Sequence, residues 1–416
     1  MRILKLTPQT EKWLLSRRAQ QDAEAHRIAA EIVEDVRKRG DAAVFAYTKK
    51  FDDTDLARAG LWIEEKEIRA ARKATSAKFQ KAIEKAAENV RRVAENQLPR
   101  PWAVETVPGV KIRQVVRPIE SIGCYIPGGR FSLVSTLVMT VVPAKVAGVP
   151  SIVAVCPKPN PELLTAAGIL GIELIARIGG AQAIAALAYG TKSVPRVDKI
   201  FGPGNKYVTA AKQIVSNKCA IDLPAGPTEA IVFAKRGNAR WIAADLLAQA
   251  EHAKDAASIF VTTSRNLACA VQREIQRQLG ELPAGMAHCS TQVSGAILLA
   301  ESVYQACEFI NRFAPEHLSL PENSGKLLPK IHASGTIFLG PWGAQPLGDY
   351  ATGSNHVLPT EGWARRRGGL SAADFVKCIS VQTITSRGFL QLADAVETLA
   401  ESEGLTAHRN AVRVRR

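Results

Sequence analysis

Ile152-Val-Ala-Val-Cys156 is an apolar run, and a helical pattern over residues 161–170 follows it. A second, mostly apolar run, Leu174-Ile-Ala-Arg-Ile178, comes next and is followed by a helical pattern over residues 181–188. Short apolar runs of this kind are typical of strands that are buried on both faces. Strands that alternate with helices form a parallel sheet with helices packed on its two faces. This stretch therefore predicts an α/β fold.

The same alternation continues on both sides of this stretch. Further candidate strands are residues 111–116, 122–126 and 199–201 in the same block, and residues 230–234, 258–262, 295–299 and 335–339 in a second block. Residues 20–98 and the residues from 372 onward have helical patterns instead. We therefore expect two Rossmann-like parallel-sheet domains with helical N-terminal and C-terminal segments, and ligands at the carboxyl ends of the strands.

The predicted boundaries divide the chain into four parts. Residues 1–22 form an N-terminal arm, residues 23–124 plus 229–370 form a first α/β domain, residues 125–228 form a second Rossmann-like domain, and residues 371–416 form a C-terminal helical tail. The length of 416 residues allows two or more domains with substantial cores.

Composition excludes several classes of protein. No apolar run approaches the roughly 18 residues of a membrane helix. The N-terminal Met-Arg-Ile-Leu-Lys-Leu has no secretory signal pattern, so we expect a cytoplasmic protein with no membrane partner. The 7 cysteines are isolated and form no CxxC pair, which argues against a disulfide framework and against a thiolate zinc site. Any metal would have to use nitrogen and oxygen ligands.

The net charge of +15 has two interpretations. A nucleic-acid-binding protein would concentrate its basic residues on one face, whereas a basic enzyme would spread them and attract anionic ligands such as a dinucleotide. Basic runs occur only at Arg365-Arg-Arg and at the final Arg413-Val-Arg-Arg, and aromatic residues make up only 6% of the chain. The distribution favours the enzyme and predicts no nucleic-acid partner.

Three glycine-rich turns follow candidate strands of the first block: Tyr125-Ile-Pro-Gly-Gly129, Ile178-Gly-Gly-Ala-Gln182 and Phe201-Gly-Pro-Gly-Asn205. Glycines allow backbone N–H groups to approach a phosphate, and the start of a helix adds a favourable partial charge. None of the turns is a G-x-G-x-x-G fingerprint. The turns indicate either phosphate or nucleotide binding, or only tight strand-to-helix connections.

Three stretches combine imidazole, carboxylate or amide groups. Gln249 and His252 lie three residues apart near the end of a predicted helix, so both can reach one point. Glu316-His317 places two proton-transfer groups side by side in a predicted loop. The stretch Leu347-Gly-Asp-Tyr-Ala-Thr-Gly-Ser-Asn-His-Val-Leu-Pro-Thr360 carries one carboxylate and one imidazole, and its glycines and proline predict an irregular loop. Helix caps and a solvated turn are the structural alternatives for these groups.

The combination of these motifs resembles histidinol dehydrogenase over nearly the whole chain. The resemblance is carried by Gly179-Gly-Ala-Gln-Ala-Ile-Ala-Ala-Leu-Ala188, Lys199-Ile-Phe-Gly-Pro-Gly-Asn205, Leu223-Pro-Ala-Gly-Pro227, Gln249-Ala-Glu-His252, Pro315-Glu-His-Leu318, Gly348–Thr360 and Leu405-Thr-Ala-His-Arg-Asn410. It implies a zinc enzyme that oxidises L-histidinol to L-histidine with two NAD⁺. It also implies an intertwined homodimer in which the first α/β domain carries the zinc and the second binds NAD.

The resemblance implies a role for each matching residue. The zinc ligands are Gln249, His252, Asp349 and His408, and the acid–base pair is Glu316 and His317. The substrate contacts are Thr228, His356 and Glu403, together with the metal ligands and the acid–base pair. The cofactor contacts are Tyr125, Gln182 and Asn205, one from each glycine-rich turn. The resemblance places His408 and Glu403 in the site of the partner subunit.

Several positions depart from the family pattern. Thr228 stands where a serine is common, and Ala253-Lys254 follows His252 where a glycine is usual. Arg130 and Arg365–Arg367 introduce positive charge near the predicted site. Arginines close to the site would suit a related enzyme that oxidises an anionic alcohol such as a sulfonated diol. Glu403 favours a cationic amino alcohol instead.

Overall fold

The N-terminal quarter of the chain is mainly helical, as the sequence predicts. A computed structural model describes residues 1–16, 18, 23–128, 133–223, 226–322 and 325–416. The apolar spacing in the second helix buries Ile32, Val33 and Val36 against the neighbouring sheet domain. The first elements are strand β1 (Arg2–Lys5) and helices α1 (Pro8–Ser16), α2 (Ala23–Arg39), α3 (Asp41–Asp52), α4 (Leu56–Ala59), α5 (Glu65–Ala74) and α6 (Ala77–Gln97).

The first α/β block forms a five-stranded parallel sheet in the order β6-β5-β4-β7-β8. Its strands from residues 121 to 201 agree with the predicted ones to within two residues at each end. The elements of this part are β2 (Trp102–Val107), β3 (Val110–Pro118), β4 (Ser121–Tyr125), α7 (Val134–Val146), β5 (Ser151–Val155), α8 (Pro161–Leu170), β6 (Leu174–Ala176), α9 (Gly180–Tyr189), β7 (Lys199–Phe201), α10 (Lys206–Val215) and β8 (Ala220–Ile221).

The second block forms a six-stranded sheet in the order β1-β11-β10-β9-β12-β13, and its neighbouring strands are all parallel. Its elements are β9 (Glu229–Phe233), α11 (Ala239–Ala250), β10 (Ala257–Thr262), α12 (Arg265–Glu281), α13 (Met286–Val293), β11 (Ala296–Leu299), α14 (Val303–Phe313), β12 (His317–Leu320), β13 (Thr336–Leu339), α15 (Gln345–Tyr350), β14 (Val376–Ile384), α16 (Ser386–Ser402) and α17 (Thr406–Arg413). The mixed α/β fold with parallel sheets is therefore confirmed.

Two expectations about the secondary structure were wrong. Residues 111–116 do not join a parallel sheet, because β3 pairs antiparallel with both β2 and β14 in a separate three-stranded sheet. The residues after 372 are not wholly helical, since β14 precedes α16 and α17. Most side chains of β14 are exposed, so this strand lacks the buried apolar pattern that marks the other strands. None of the helices in the described ranges is long and apolar enough to cross a membrane.

Sheet membership does not follow the predicted division at residues 124 and 125. Strand β4 belongs to the five-stranded sheet together with the strands that follow it. Helix α2 also packs against α9 and α10 of that sheet rather than against the second block. Conversely, β1 from the predicted N-terminal arm is an edge strand of the six-stranded sheet. The division into independent domains stays a prediction.

The predicted site residues lie at different edges of the two parallel sheets. The glycine-rich turns extend the carboxyl ends of β4, β6 and β7, as expected for a nucleotide-binding sheet. Thr228 and Glu316, in contrast, immediately precede β9 and β12, so they lie at the amino edge of the six-stranded sheet. The expectation that ligands gather at the carboxyl ends of the strands stays a prediction. The predicted cofactor contacts thus lie at a carboxyl edge, and the predicted acid–base residues lie at an amino edge.

Candidate active site

The stretch from Leu347 to Thr360 is not irregular throughout. Its first residues form the end of the short helix α15, which places Asp349 on a helix rather than in a loop. The chain then turns at Gly353, whose φ is 97°. A Cβ at this position would collide with the backbone carbonyl of Asn89 in α6. Asn89 in turn donates a hydrogen bond from Nδ2 to the carbonyl of Ala351 over 2.7 Å. The glycine therefore allows the turn to pack directly on α6.

Glu316 is the most buried carboxylate of the predicted set. Its Oε2 accepts hydrogen bonds from the hydroxyl of Thr228 and from the backbone N–H of Glu229, the latter at 2.9 Å. Burial raises the pKa of Glu316 above its ordinary value, although His317 and these donors act in the opposite direction. A carboxyl with a raised pKa can accept a proton from water more readily than an exposed one.

His317 lies between two carboxylates. Its Nδ1 is 3.7 Å from Oε2 of Glu316, and its Nε2 is 3.4 Å from Oδ1 of Asp349. Burial would lower the pKa of His317, but the two carboxylates outweigh it and the pKa lies above the ordinary value. Both ring nitrogens are buried without an aligned hydrogen bond. Buried nitrogens left in this state are available to a bound molecule.

His356 is held in one tautomer. Its Nδ1 lies 2.9 Å from the backbone carbonyl of Asp349, and a carbonyl can only accept, so Nδ1 carries the proton. Its Nε2 can then accept a hydrogen bond from the hydroxyl of Thr136, which lies 3.3 Å away in the first turn of α7. Burial lowers the pKa of His356, which keeps the ring neutral. This residue links the glycine-rich side of the site to Asp349.

Helix α11 brings Gln249 to the same site. Its Nε2 donates to the hydroxyl of Thr228 over 2.8 Å, and its Oε1 accepts from Nε2 of Gln345 over 2.5 Å. Gln345, which the sequence analysis missed, is buried at the start of α15. His252 lies two residues beyond the end of α11, and its Nδ1 is 3.2 Å from the carbonyl of Ala248. Nδ1 must donate in this contact, which leaves Nε2 with its lone pair.

The remaining predicted site residues lie elsewhere in the chain. Glu403 directly follows α16, and His408 lies on α17, which packs on α16. Both side chains are exposed. In the part of the chain that the structure describes, no group of three or more His, Cys, Asp or Glu side chains could hold a metal. One chain thus brings Gln249 and Asp349 to the site with His252 nearby, but it does not bring His408 there.

The predicted cofactor contacts lie at the carboxyl edge of the five-stranded sheet. The hydroxyl of Tyr125 accepts a hydrogen bond of 3.1 Å from the backbone N–H of Gly180. Burial raises the pKa of Tyr125 to about 12, so the hydroxyl stays protonated. Gln182 is only 1% exposed, and neither its amide oxygen nor its amide nitrogen has a hydrogen-bond partner. An amide in this state is expected to bind a ligand.

A buried ion pair supports the third glycine-rich turn. Lys212 Nζ forms an ion pair with Asp222 and donates to the carbonyl of Gly202 over 2.9 Å. Oδ2 of Asp222 accepts from the N–H of Gly202 over 2.7 Å. Gly202 has a φ of 113°, and a Cβ there would collide with the carbonyl of Tyr125. Asn205, predicted to contact the cofactor, caps α10 by accepting from two backbone N–H groups.

The additional arginines have structural partners. Arg365 donates to the backbone carbonyl of Arg312, and Arg367 donates to the backbone carbonyl of Asp222. These bonds give each of the two guanidinium groups a partner in the backbone. Cζ of Arg366 lies 5.0 Å from the ring centroid of Trp363. The fourth additional arginine, Arg130, lies outside the described residues.

Comparisons with known proteins agree with this arrangement. A sequence profile of histidinol dehydrogenase matches residues 15–416. Histidinol dehydrogenase from Vibrio parahaemolyticus is 45% identical over 392 residues, covering 93% of this chain and 90% of that protein. The Escherichia coli enzyme is 42% identical over 416 residues, covering 98% and 95%. Histidinol dehydrogenase from Elizabethkingia anophelis has a crystal structure that matches with a TM-score of 0.95 at 38% identity, covering 100% of this chain and 98% of that one. The chain belongs to the histidinol dehydrogenase family of NAD-dependent oxidoreductases.

Proposed function

We propose that this chain oxidises L-histidinol to L-histidine through L-histidinal and reduces two NAD⁺, at a zinc site shared between the subunits of a homodimer. The observation that carries the proposal is the contact of His317 with both Glu316 and Asp349, in a site that also contains Thr228. This arrangement places two proton acceptors beside one predicted metal ligand. Family membership supports an enzyme over a nucleic-acid-binding protein.

The donor groups suit zinc. Gln249 offers an amide oxygen, Asp349 a carboxylate, and His252 an imidazole whose Nε2 is left free by the contact of Nδ1 with Ala248. Zinc accepts nitrogen and oxygen ligands in tetrahedral sites and leaves a position open where it takes part in catalysis. With His408 as the fourth ligand, the ion would orient the substrate nitrogens so that the alcohol carbon faces the nicotinamide.

The acid–base pair accounts for both oxidations. In the first, His317 accepts the hydroxyl proton while the carbon transfers a hydride to NAD⁺, which gives the aldehyde. In the second, Glu316 takes a proton from water as the water oxygen adds to the aldehyde carbon, and the protonated His317 returns its proton to the carbonyl oxygen. The resulting hydrate loses a second hydride to a fresh NAD⁺ and a proton to His317, which gives the carboxylic acid. The distance of 3.7 Å between His317 and Glu316 supports action by both residues at one carbon.

The cofactor half of the site supports a dinucleotide. The unpartnered amide of Gln182, the hydroxyl of Tyr125 and the turn before Asn205 all lie at the carboxyl edge of one parallel sheet. This is the edge at which such sheets bind nucleotides, at the point where the strand order reverses. Strand β4 stands at that point, because β5 and β7 lie on its two sides.

Histidinol is favoured over an anionic alcohol. Arg365 and Arg367 donate to backbone carbonyls, so their contacts give no reason to assign them to a substrate sulfonate. Arg130 lies outside the described residues. The carboxyl of Asp349 lies 3.4 Å from His317, and the neutral ring of His356 contacts the backbone of Asp349. An acidic and neutral lining suits a cationic amino alcohol better than a sulfonate.

The product ratio and the metal content test this proposal. The wild-type enzyme is expected to form two NADH per histidinol and to contain one zinc per subunit by elemental analysis. Removal of the metal with a chelator should abolish turnover, and zinc should restore it. A sulfonated diol serves as the competing substrate. One NADH per substrate, or turnover of the diol alone, would contradict the histidinol assignment.

Subunit mixing tests the shared site. His317→Asn and His408→Asn chains, carrying different tags, are co-expressed and the mixed dimers are compared with each parent. If His408 serves the partner's site, each mixed dimer has one intact site, and a random mixture should recover about one quarter of wild-type activity. If both residues serve the same chain, no site is intact and the mixture should stay as inactive as its parents.

A further inference from the structure

A buried ion pair lies directly behind the acid–base site. Nε and Nη2 of Arg18 donate to the two carboxylate oxygens of Glu229, and the two side chains are only 9% and 2% exposed. Glu229 begins β9 and is the one charged residue in an otherwise apolar strand. A bidentate arginine–carboxylate pair fixes both the distance and the plane of its partners. The pair is therefore a rigid connection between the N-terminal arm and the six-stranded sheet.

The same guanidinium group also holds the end of α14. Nη1 of Arg18 donates to the carbonyl of Phe313, and Nη2 lies 3.5 Å from the carbonyl of Ala314. The guanidinium carbon is also 3.5 Å from the ring centroid of Phe313. The last carbonyls of a helix lack intrahelical donors, and a cation is favourable there. Ala314 has a φ of 49°, which is unusual for a residue with a Cβ, so this turn needs external support.

Both anchored segments lead to Glu316. The backbone N–H of Glu229 donates to Oε2 of Glu316 over 2.9 Å, and the neighbouring Thr228 donates to the same oxygen. Ala314 precedes Glu316 by two residues, with only Pro315 between them. Strands β9 and β12 pair in parallel, with His317 opposite Ala230. Arg18 thus contacts the residue that donates to Glu316 and the turn that carries Glu316.

We propose that Arg18 is a positioning residue for the acid–base pair, because it fastens the start of β9 to the turn before Glu316. This inference rests on the proposed function of Glu316. Arg18 acts through two backbone segments, and no contact joins it to Glu316 or His317 directly. Lysine cannot replace it fully, because a single ammonium group cannot bond both carboxylate oxygens and two carbonyls in fixed directions.

A double-mutant cycle with Glu316 tests the proposal in the full-length enzyme. Arg18→Met is expected to lower kcat about 10–100-fold, since a small misplacement of a catalytic group has effects of that order. Arg18→Lys should give an intermediate loss. In a Glu316→Gln background, Arg18→Met should lower kcat further by less than about threefold, because the residue acts through Glu316. If Arg18→Met instead acted through a general loss of folding, the loss of kcat in the double variant would be the product of the two single losses.

Arg312→Met is the matched control. Arg312 also joins the N-terminal arm to α14, through an ion pair of 2.5 Å with Glu11, but it is half exposed and does not contact Glu229 or Ala314. This variant should keep kcat within about twofold, since exposed pairs contribute little. If Arg18→Met does not fold, Glu229→Gln replaces it in the same cycle, because it removes the charge and one of the two acceptor oxygens while keeping the size of the side chain.

The outcomes separate the two proposals. A wild-type chain that fails to turn over histidinol overturns the proposed function and this inference with it. If the wild-type chain forms two NADH per histidinol and Arg18→Met leaves kcat unchanged, only the role of Arg18 is overturned. The role of Arg18 is also overturned if Arg18→Met lowers kcat by the same factor in the Glu316→Gln background as in the wild type. Equal losses in Arg312→Met and Arg18→Met would show that attachment of the arm, and not the buried pair, is responsible.

Discussion

His317→Asn is expected to lower kcat by about 10²–10⁴-fold, the usual contribution of a general base. Asparagine is close to histidine in size and can hydrogen-bond, but it cannot accept a proton at neutral pH. The loss should appear in both oxidations, because each removes a proton from oxygen as the hydride leaves. The measurement is steady-state turnover of histidinol, together with turnover of histidinal supplied as the substrate.

Two comparisons make this result specific to the site. His332→Asn changes an exposed histidine of the same block and is expected to leave kcat unchanged. Zinc content should be unchanged in both variants, since His317 is not among the predicted ligands. Turnover of the His317→Asn variant that matches the wild type across the pH range would rule out His317 as the base.

Lys212→Met is expected to destabilise the enzyme by about 3–5 kcal/mol, the usual cost of leaving one member of a buried ion pair without its partner. The side chains of Lys212 and Asp222 are 3% and 0% exposed. The substitution also removes the donor to the carbonyl of Gly202. The measurement is the free energy of unfolding by urea, with all variants at one protein concentration.

The second member of the pair provides the decisive comparison. Adding Asp222→Asn to Lys212→Met removes the unpaired charge and keeps an oxygen that can accept from Gly202. The double variant should therefore recover a large part of the lost stability. Lys218→Met, at an exposed position just after α10, should change the free energy of unfolding by less than about 0.5 kcal/mol. A Lys212→Met variant as stable as Lys218→Met would mean that the buried pair contributes nothing net.

The buried parallel strands could be predicted because burial is visible in composition. Strands β4, β5 and β9 are almost wholly apolar, and helices with clear patterns separate them. Strand β12 could not be recognised in the same way, because it begins with His317 and includes Ser319. Strand β14 mixes polar and apolar residues without a regular alternation and is largely exposed, so its sequence does not distinguish it from the helical tail. Local pattern indicates burial, but it does not indicate which exposed segment pairs with another.

The residue types in the site were foreseen better than their arrangement. Resemblance selected Glu316, His317 and Asp349, and the structure brings these three together. Sequence spacing could not have given this, since 32 positions separate His317 from Asp349. Gln345 was missed because an amide beside a proline has no distinctive pattern. Glu229 had a usable signal, since a carboxylate at the head of an apolar strand must have a buried partner.

The placement of the predicted site residues at different edges of the two sheets has a consequence for how this enzyme can diverge. The proposed acid–base residues lie at the amino edge of the six-stranded sheet, whereas the turns after Phe233, Thr262 and Leu320 lie at its carboxyl edge. Chain length can grow or shrink there without moving a reacting group, because loops on a solvated edge tolerate insertions. The five-stranded sheet would have no such freedom at its carboxyl edge, where the proposed cofactor contacts lie. Variation in loop length among relatives should therefore be concentrated on one side of one sheet.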